Sequence, residues 1–101
     1  MIEFSREVSE MILEVEVIGP AQKKRLEVYG AYEIKDILKG RGYKWNGARK
    51  FWYVRLDNEK AWEEIKYLRT LAHLILYPYG IREARWLQEH GLKVEKGKAE
   101  F

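Results

Sequence analysis

Apolar and polar residues alternate with a period of two at the start of the chain. Leu13, Val15 and Val17 interleave with Glu14 and Glu16 until Gly19-Pro20 breaks the run. That period turns one side to a core and the acids to the other, so Val8 to Ile18 is expected to be a strand. Ala21 to Arg25, with its Lys23-Lys24-Arg25 run, reads as a solvated polar turn, and Leu26 to Tyr29 as the second strand of an antiparallel hairpin. From Ala31 to Lys39 the period lengthens: Ile34, Ile37 and Leu38 stand at i, i+3 and i+4, and Gly40 and Gly42 follow as stop residues, which predicts an amphipathic helix. A second helix is expected from an Asp57 or Asn58 cap to about Leu71, with Trp62, Ile65 and Leu68 inward. A strand from His73 to Tyr77, a helix from Gly80 to His90 and a short strand from Leu92 to Glu95 complete the order.

Between the first two helices lies the most heavily loaded stretch, Gly42 to Leu56. It sets Tyr43, Trp45, Phe51, Trp52 and Tyr53 around Asn46-Gly47 and threads Lys44, Arg49, Lys50 and Arg55 between them. Asn-Gly between alternating runs is a hairpin signal. A four-residue loop, Asn46 to Arg49, would pair Trp45 with Lys50 and put Tyr43, Trp45, Trp52 and Val54 on a packed face, leaving Lys44, Phe51, Tyr53 and Arg55 as a basic, aromatic one. A five-residue loop would move Trp45 across. Register is left open at this point, because a slip of one residue reverses every side chain.

These elements describe one α+β domain over the 101 residues, a mainly antiparallel sheet with helices on one side and the Tyr43 to Leu56 hairpin as a central element. The order is β-β-α-β-β-α-β-α-β. An internal echo accompanies it: LEVYG, a helix and GYKWNGARKF return as LILYPYG, a helix and GLKVEKGKAEF, with Gly42/Gly91, Lys44/Lys93 and Phe51/Phe101 in step. Residues 72–101 would then be a degenerate second strand-helix-strand unit.

Composition narrows the chemistry. With no cysteine and two histidines, His73 and His90, there are neither disulfides nor thiolate metal sites. The start of the chain lacks the basic and apolar regions of a signal peptide, and no apolar run reaches the ~20 residues of a membrane span, so a cytoplasmic protein with no membrane partner is expected. Charged residues make up 35% of the chain while Asn, Gln, Thr and Met are few, a balance typical of life at high temperature. The net charge is only +3, but Ile37 to Leu56 carries six basic residues (Lys39, Arg41, Lys44, Arg49, Lys50, Arg55) and no acid, so the remainder nets −3. Such asymmetry marks an electropositive footprint for a polyanion.

No phosphate-binding glycine loop, dinucleotide fingerprint or H-E-x-x-H is present, and Ser5 and Ser9 have no neighbouring histidine, so catalysis and a cofactor are not expected. A metal-dependent nuclease could draw only on Glu14, Glu16, Glu27 and Glu33, which read better as solvated acids. Nucleic-acid binding fits better, with Lys39, Arg41, Lys44, Arg49, Lys50 and Arg55 on phosphates and Phe51 or Tyr53 stacking on bases. The same Tyr, Trp and Arg residues would equally serve an accessory subunit docking a larger enzyme.

The run YEIKDILKGRGYKWNGARKFWYVRLDNEKAWEEIKYL resembles the HARP (HepA-related protein) module found beside the motor of Swi/Snf-type annealing helicases. It is also similar to short modules with an R-W-[DN]-x-x-x-K-x-W-Y signature attached to replication exonucleases and primase-like proteins. Trp45, Asn46, Lys50 and Trp52 stand at the signature positions. The resemblance covers about residues 26–71. It implies a strand-helix-strand-strand-helix unit that binds DNA, particularly at single-strand/duplex junctions, in support of a helicase or nuclease on a separate chain. Asn46-Gly47 replaces the usual Asp-Pro, and residues 72–101 lie outside it.

Overall fold

The computed structural model describes residues 11–19 and 22–101, so the expected strand residues Val8 to Glu10, together with Ser5, Ser9 and Ala21, lie outside the described residues. Alternation of the kind seen in Leu13, Val15 and Val17 makes β1 (Ile12–Ile18), and the three side chains are fully buried. β2 (Lys23–Tyr29) runs antiparallel to it, with Glu16 opposite Glu27 and Val17 opposite Leu26. A 3-10 turn (Tyr32–Ile34) leads into α1 (Lys35–Gly40), then come β3 (Lys44–Asn46), β4 (Phe51–Asp57), α2 (Asn58–Leu71), β5 (His73–Pro78), α3 (Ile81–Glu89) and β6 (Ala99–Glu100).

The six strands form one mixed sheet in the order β3-β4-β2-β1-β5-β6. Leu13, Val15, Val17, Leu26, Val28, Leu74 and Leu76 from one side of it share a single core with Ile34 and Leu38 before and in α1, Ala61, Ile65 and Leu68 of α2, and Trp86 and Leu87 of α3. The helices of the described residues therefore lie on one side of the sheet. α2 starts where Asp57 accepts a hydrogen bond from the Lys60 amide at 3.0 Å, satisfying one of the amide groups left over at a helix start. Among the described residues no helix is long and apolar enough to cross a membrane.

The sheet is mainly antiparallel, as expected, with one parallel pair, because the 14-residue crossover α2 returns the chain beside β1, where β5 pairs in parallel. Three expectations are corrected. The hairpin is an edge rather than a central element: β3 pairs only with β4, and β1 and β2, with the most completely buried faces, take the middle. Lys23, Lys24 and Arg25 belong to β2, not to a solvated loop. Period two places Lys24 in line with Leu26 and Val28, and its stem extends their apolar stripe at 2% exposure. Its ammonium donates to Asn58 Oδ1 at 3.0 Å and lies 4.9 Å from the centre of the Trp86 ring, while burial lowers its pKa against the pull of Glu83 and Glu89. Finally, Leu92 to Val94 is irregular, and the return strand is β6, reached through a bridge between Glu95 and Lys98.

The internal echo has a counterpart in topology. β2 and β5 flank β1, each is followed by a helix on the same side, and each receives an antiparallel return strand. Leu26 pairs with Val54, and Leu74 exchanges backbone hydrogen bonds with Phe101, both 2.9 Å. Phe101 thus occupies the place of Val54, three positions from the Phe51/Phe101 match that the sequence offers.

Candidate nucleic-acid interface

Asn46 shapes the hairpin. Its Oδ1 accepts from the amides of Ala48 at 3.1 Å and Arg49 at 3.0 Å, and its carbonyl accepts from the Lys50 amide at 2.7 Å. The side chain thus caps one helical turn, Gly47 to Lys50, and Lys50 leaves it in the left-handed region at φ 64°. Such a conformation costs a non-glycine residue roughly 1–2 kcal/mol, which the three hydrogen bonds to Asn46 offset. The loop holds four residues but begins one position later than the spacing suggests, so Trp45 pairs with Trp52, Lys44 with Tyr53 and Asn46 with Phe51.

This register puts Trp45, Trp52 and Val54 on the side of the sheet that carries the helices. The helices, however, pack over β2, β4 and β5, one strand inward from β3. Trp45 is therefore on the core side without being in the core: it is 51% exposed and leans on Trp52, the ring centres 5.3 Å apart and the planes at 50°.

Facing it is a stripe of the preceding turn and helix. Tyr32, Lys35, Asp36 and Lys39 stand at i, i+3, i+4 and i+7, next to the stripe of Ala31, Ile34 and Leu38 that anchors the element. Tyr32 is 75% exposed, and the Lys35 ammonium lies 3.7 Å from the centre of its ring. Between the two walls runs a groove of about 700 Å³, floored by Val28, Tyr43 and Trp52 and lined by Lys35, Asp36, Lys39, Lys44 and Lys50. Lys39, Lys44 and Lys50 have no ion-pair partner among the described residues. The groove therefore offers Lys35, Lys39 and Lys50, with Lys44 at the edge strand where it stands opposite Tyr53, one anion and two accessible aromatic surfaces.

Of the residues singled out from the sequence, Lys39, Lys44 and Lys50 come together at this groove. Arg41 does not. Its guanidinium binds Glu64 through Nε at 2.9 Å and Nη2 at 2.6 Å and covers the Tyr67 ring at 3.7 Å, so it ties the end of α1 to α2. Tyr43, buried in the groove floor, has a hydroxyl with no partner among the described residues, and burial, then Glu64, raises its pKa.

Phe51, Tyr53 and Arg55 project to the opposite side of the sheet, and there the expectation of an open platform is corrected. Phe51 is 3% exposed, packed 5.3 Å from Tyr29 and 6.1 Å from Tyr53. Several polar groups on that side are also engaged with one another. Arg25 binds Glu27 and covers the Tyr53 ring, Glu27 accepts from Tyr29 at 3.3 Å, and Glu14 accepts from Tyr77 at 3.1 Å. Glu16 faces Glu27 across the strands. Burial raises its pKa, the neighbouring Glu27 adds to the rise, and Arg49 and Arg25 oppose it, which brings Arg49 into the influence of this side as well. No group of three or more His, Asp and Glu side chains among the described residues could hold a metal ion. His73 bonds Glu100 at 3.2 Å, and His90 caps α3 through the Trp86 carbonyl at 2.8 Å within a cluster of Trp62, Trp86 and Phe101.

Sequence reasoning passed over Tyr32, Lys35 and Asp36. Their signal was the i, i+3, i+4, i+7 spacing on the polar side of a helix whose apolar side had already been read.

Phe51→Ala is expected to cost about 3–5 kcal/mol in chemical denaturation, as for a buried ring, and Trp45→Ala about 1 kcal/mol, the worth of an aromatic pair at a surface. Equal losses would contradict the assignment of Phe51 to packing. The folded chain holds the Glu16 proton more tightly than the unfolded chain, so this group's contribution falls as pH rises from the ordinary carboxylate range through its raised value. Glu16→Gln should therefore raise the denaturation midpoint at about pH 7 and leave it near wild type below about pH 4; a gain of the same size at both pH values would contradict the raised pKa.

No family model, curated protein or solved structure matches the chain.

Proposed function

We propose that the chain is a non-catalytic nucleic-acid-binding module that takes single-stranded or junction DNA, with low overall sequence specificity, into the groove between β3 and α1. The observation that carries this reading is the pairing of exposed aromatic rings, Trp45 and Tyr32, with four lysines along one groove. Single strands need those two things together: cations for the phosphates and flat apolar surfaces for unstacked bases. The opposite side of the sheet, where Phe51, Tyr53 and Arg55 lie, supplies less of both, because Phe51 is packed, Tyr53 is half-buried under Arg25, and Arg25 is bound to Glu27. Low specificity fits a groove whose lining, among the described residues, comes from an edge strand and a short helix rather than from a helix that enters a major groove.

The likeness to the HARP module and to the R-W-[DN]-x-x-x-K-x-W-Y modules belongs to this proposal and rests on Trp45, Asn46, Lys50 and Trp52. Here those four residues have distinct physical tasks. Asn46 caps the turn, Lys50 ends it, and the two tryptophans stack across the strands. On this reading the module assists a helicase or nuclease.

Fluorescence anisotropy with labelled single-stranded, duplex and forked DNA and single-stranded RNA tests the proposal. Single-stranded or forked DNA should bind best, with a log-log salt slope of about −3 if all four lysines contact phosphates. Trp45→Ala should weaken binding about ten- to a hundredfold, the range for one stacked base, and Lys44→Glu with Lys50→Glu should remove it at moderate salt. Absence of binding at low salt would contradict the reading. A shallow salt dependence, with a protein partner retained by the same aromatic residues, would replace it with the docking role.

A further inference from the structure

One feature of the groove is at odds with a site that only neutralises phosphate. Asp36 stands among Lys35, Lys39, Lys44 and Lys50, where it repels a phosphate backbone, yet its carboxylate has no hydrogen-bond or ion-pair partner among the described residues. Lys35, its neighbour in sequence, lies over the Tyr32 ring instead, and Arg41, beyond the helix end, is held by Glu64. The carboxylate is thus an acceptor kept available beside an aromatic platform.

We infer that Asp36 reads the Watson-Crick edge of an unpaired guanine stacked in the groove. The inference rests on the nucleic-acid reading above and adds the base to it. A carboxylate accepts through two oxygens and donates nothing. Guanine alone among the DNA bases presents two parallel donors on that edge, N1–H and the N2 amino group, which match the two oxygens. Adenine and cytosine each set one amino group beside a ring nitrogen whose lone pair repels the carboxylate, and thymine sets its single N–H between two carbonyl oxygens. The groove, about 700 Å³, has room for a base and its neighbouring sugar and phosphate, with Trp45 or Tyr32 beneath the base and the lysines on the phosphates. Specificity of this kind is confined to one nucleotide and is compatible with general affinity for single strands.

The test compares labelled oligothymidylate with the same strand carrying one central deoxyguanosine, deoxyinosine or deoxyadenosine. Inosine keeps N1–H and lacks the N2 amino group. The wild-type chain should bind the guanine strand about tenfold more tightly than oligothymidylate, with inosine between them and adenine near oligothymidylate. Asp36→Asn should bind oligothymidylate slightly more tightly, through loss of a negative charge, and should reduce the guanine preference to less than about threefold. Binding of all four strands with equal affinity would overturn the guanine assignment and leave the nucleic-acid reading standing. A full guanine preference in Asp36→Asn would overturn it as well. No binding of any strand at low salt would overturn both. The inosine comparison uses the unaltered chain, so the guanine assignment can fail there however the variant folds.

Discussion

The register of β4 against β2 decides what this molecule can present. Leu26 opposite Val54 and Val28 opposite Trp52 send the apolar side chains of both strands toward the helices, and the Asn46-capped turn carries the same parity across to β3. Because strand side chains alternate, a slip of one residue would have turned Trp45 and Trp52 away from the helices and brought Phe51 and Tyr53 under them. Trp52 and Val54 resist such a slip, since it would move them off a core that Leu26 and Val28 share with all three helices. Everything at the groove inherits that constraint.

The groove itself follows from a mismatch of widths. Six strands make the sheet, but the helix layer stops one strand short of β3, so a side chain built on the core side of the edge strand meets a gap in place of a helix. α1 is only six residues long, and the Arg41–Glu64 pair fixes its end against α2. Tyr32 and Trp45 are consequently held on firm elements while remaining exposed, a combination suited to stacking because little side-chain or backbone freedom is lost when a ligand arrives. An edge strand of three residues bearing a lysine and closed by a basic turn is also a poor template for pairing with another sheet.

Much of this was legible in the sequence. Period-two runs located β1, β4 and β5, the Asp57 cap and the Trp62, Ile65, Leu68 spacing located α2, and the α+β class followed from their order. Asn46-Gly47 marked a hairpin, yet the asparagine side chain, not a left-handed glycine, makes the turn, and that moved the turn by one position and the partner of Trp45 from Lys50 to Trp52. Lys24 was hidden by its charge, since nothing local indicates that Asn58 and Trp86, more than thirty residues away, will receive its ammonium. Phe51 and Trp45 were misjudged for a related reason: which of two alternating aromatic faces is covered depends on where the helix layer ends, and that is a property of the whole sheet. The charge asymmetry marked a segment that supplies part of the groove lining, but only the fold separates Arg41, spent on Glu64, from Lys39, Lys44 and Lys50 at the groove.

The most direct test of the central claim is to follow side-chain and backbone NMR signals during titration with a short single-stranded DNA. The account predicts that the Trp45 indole N–H, the Tyr32 ring and the amides of Lys35 to Lys39 shift together, while Phe51, Tyr53 and Arg55 stay in place. Shifts centred on Phe51, Tyr53 and Arg55, with Trp45 and Tyr32 unmoved, would contradict it.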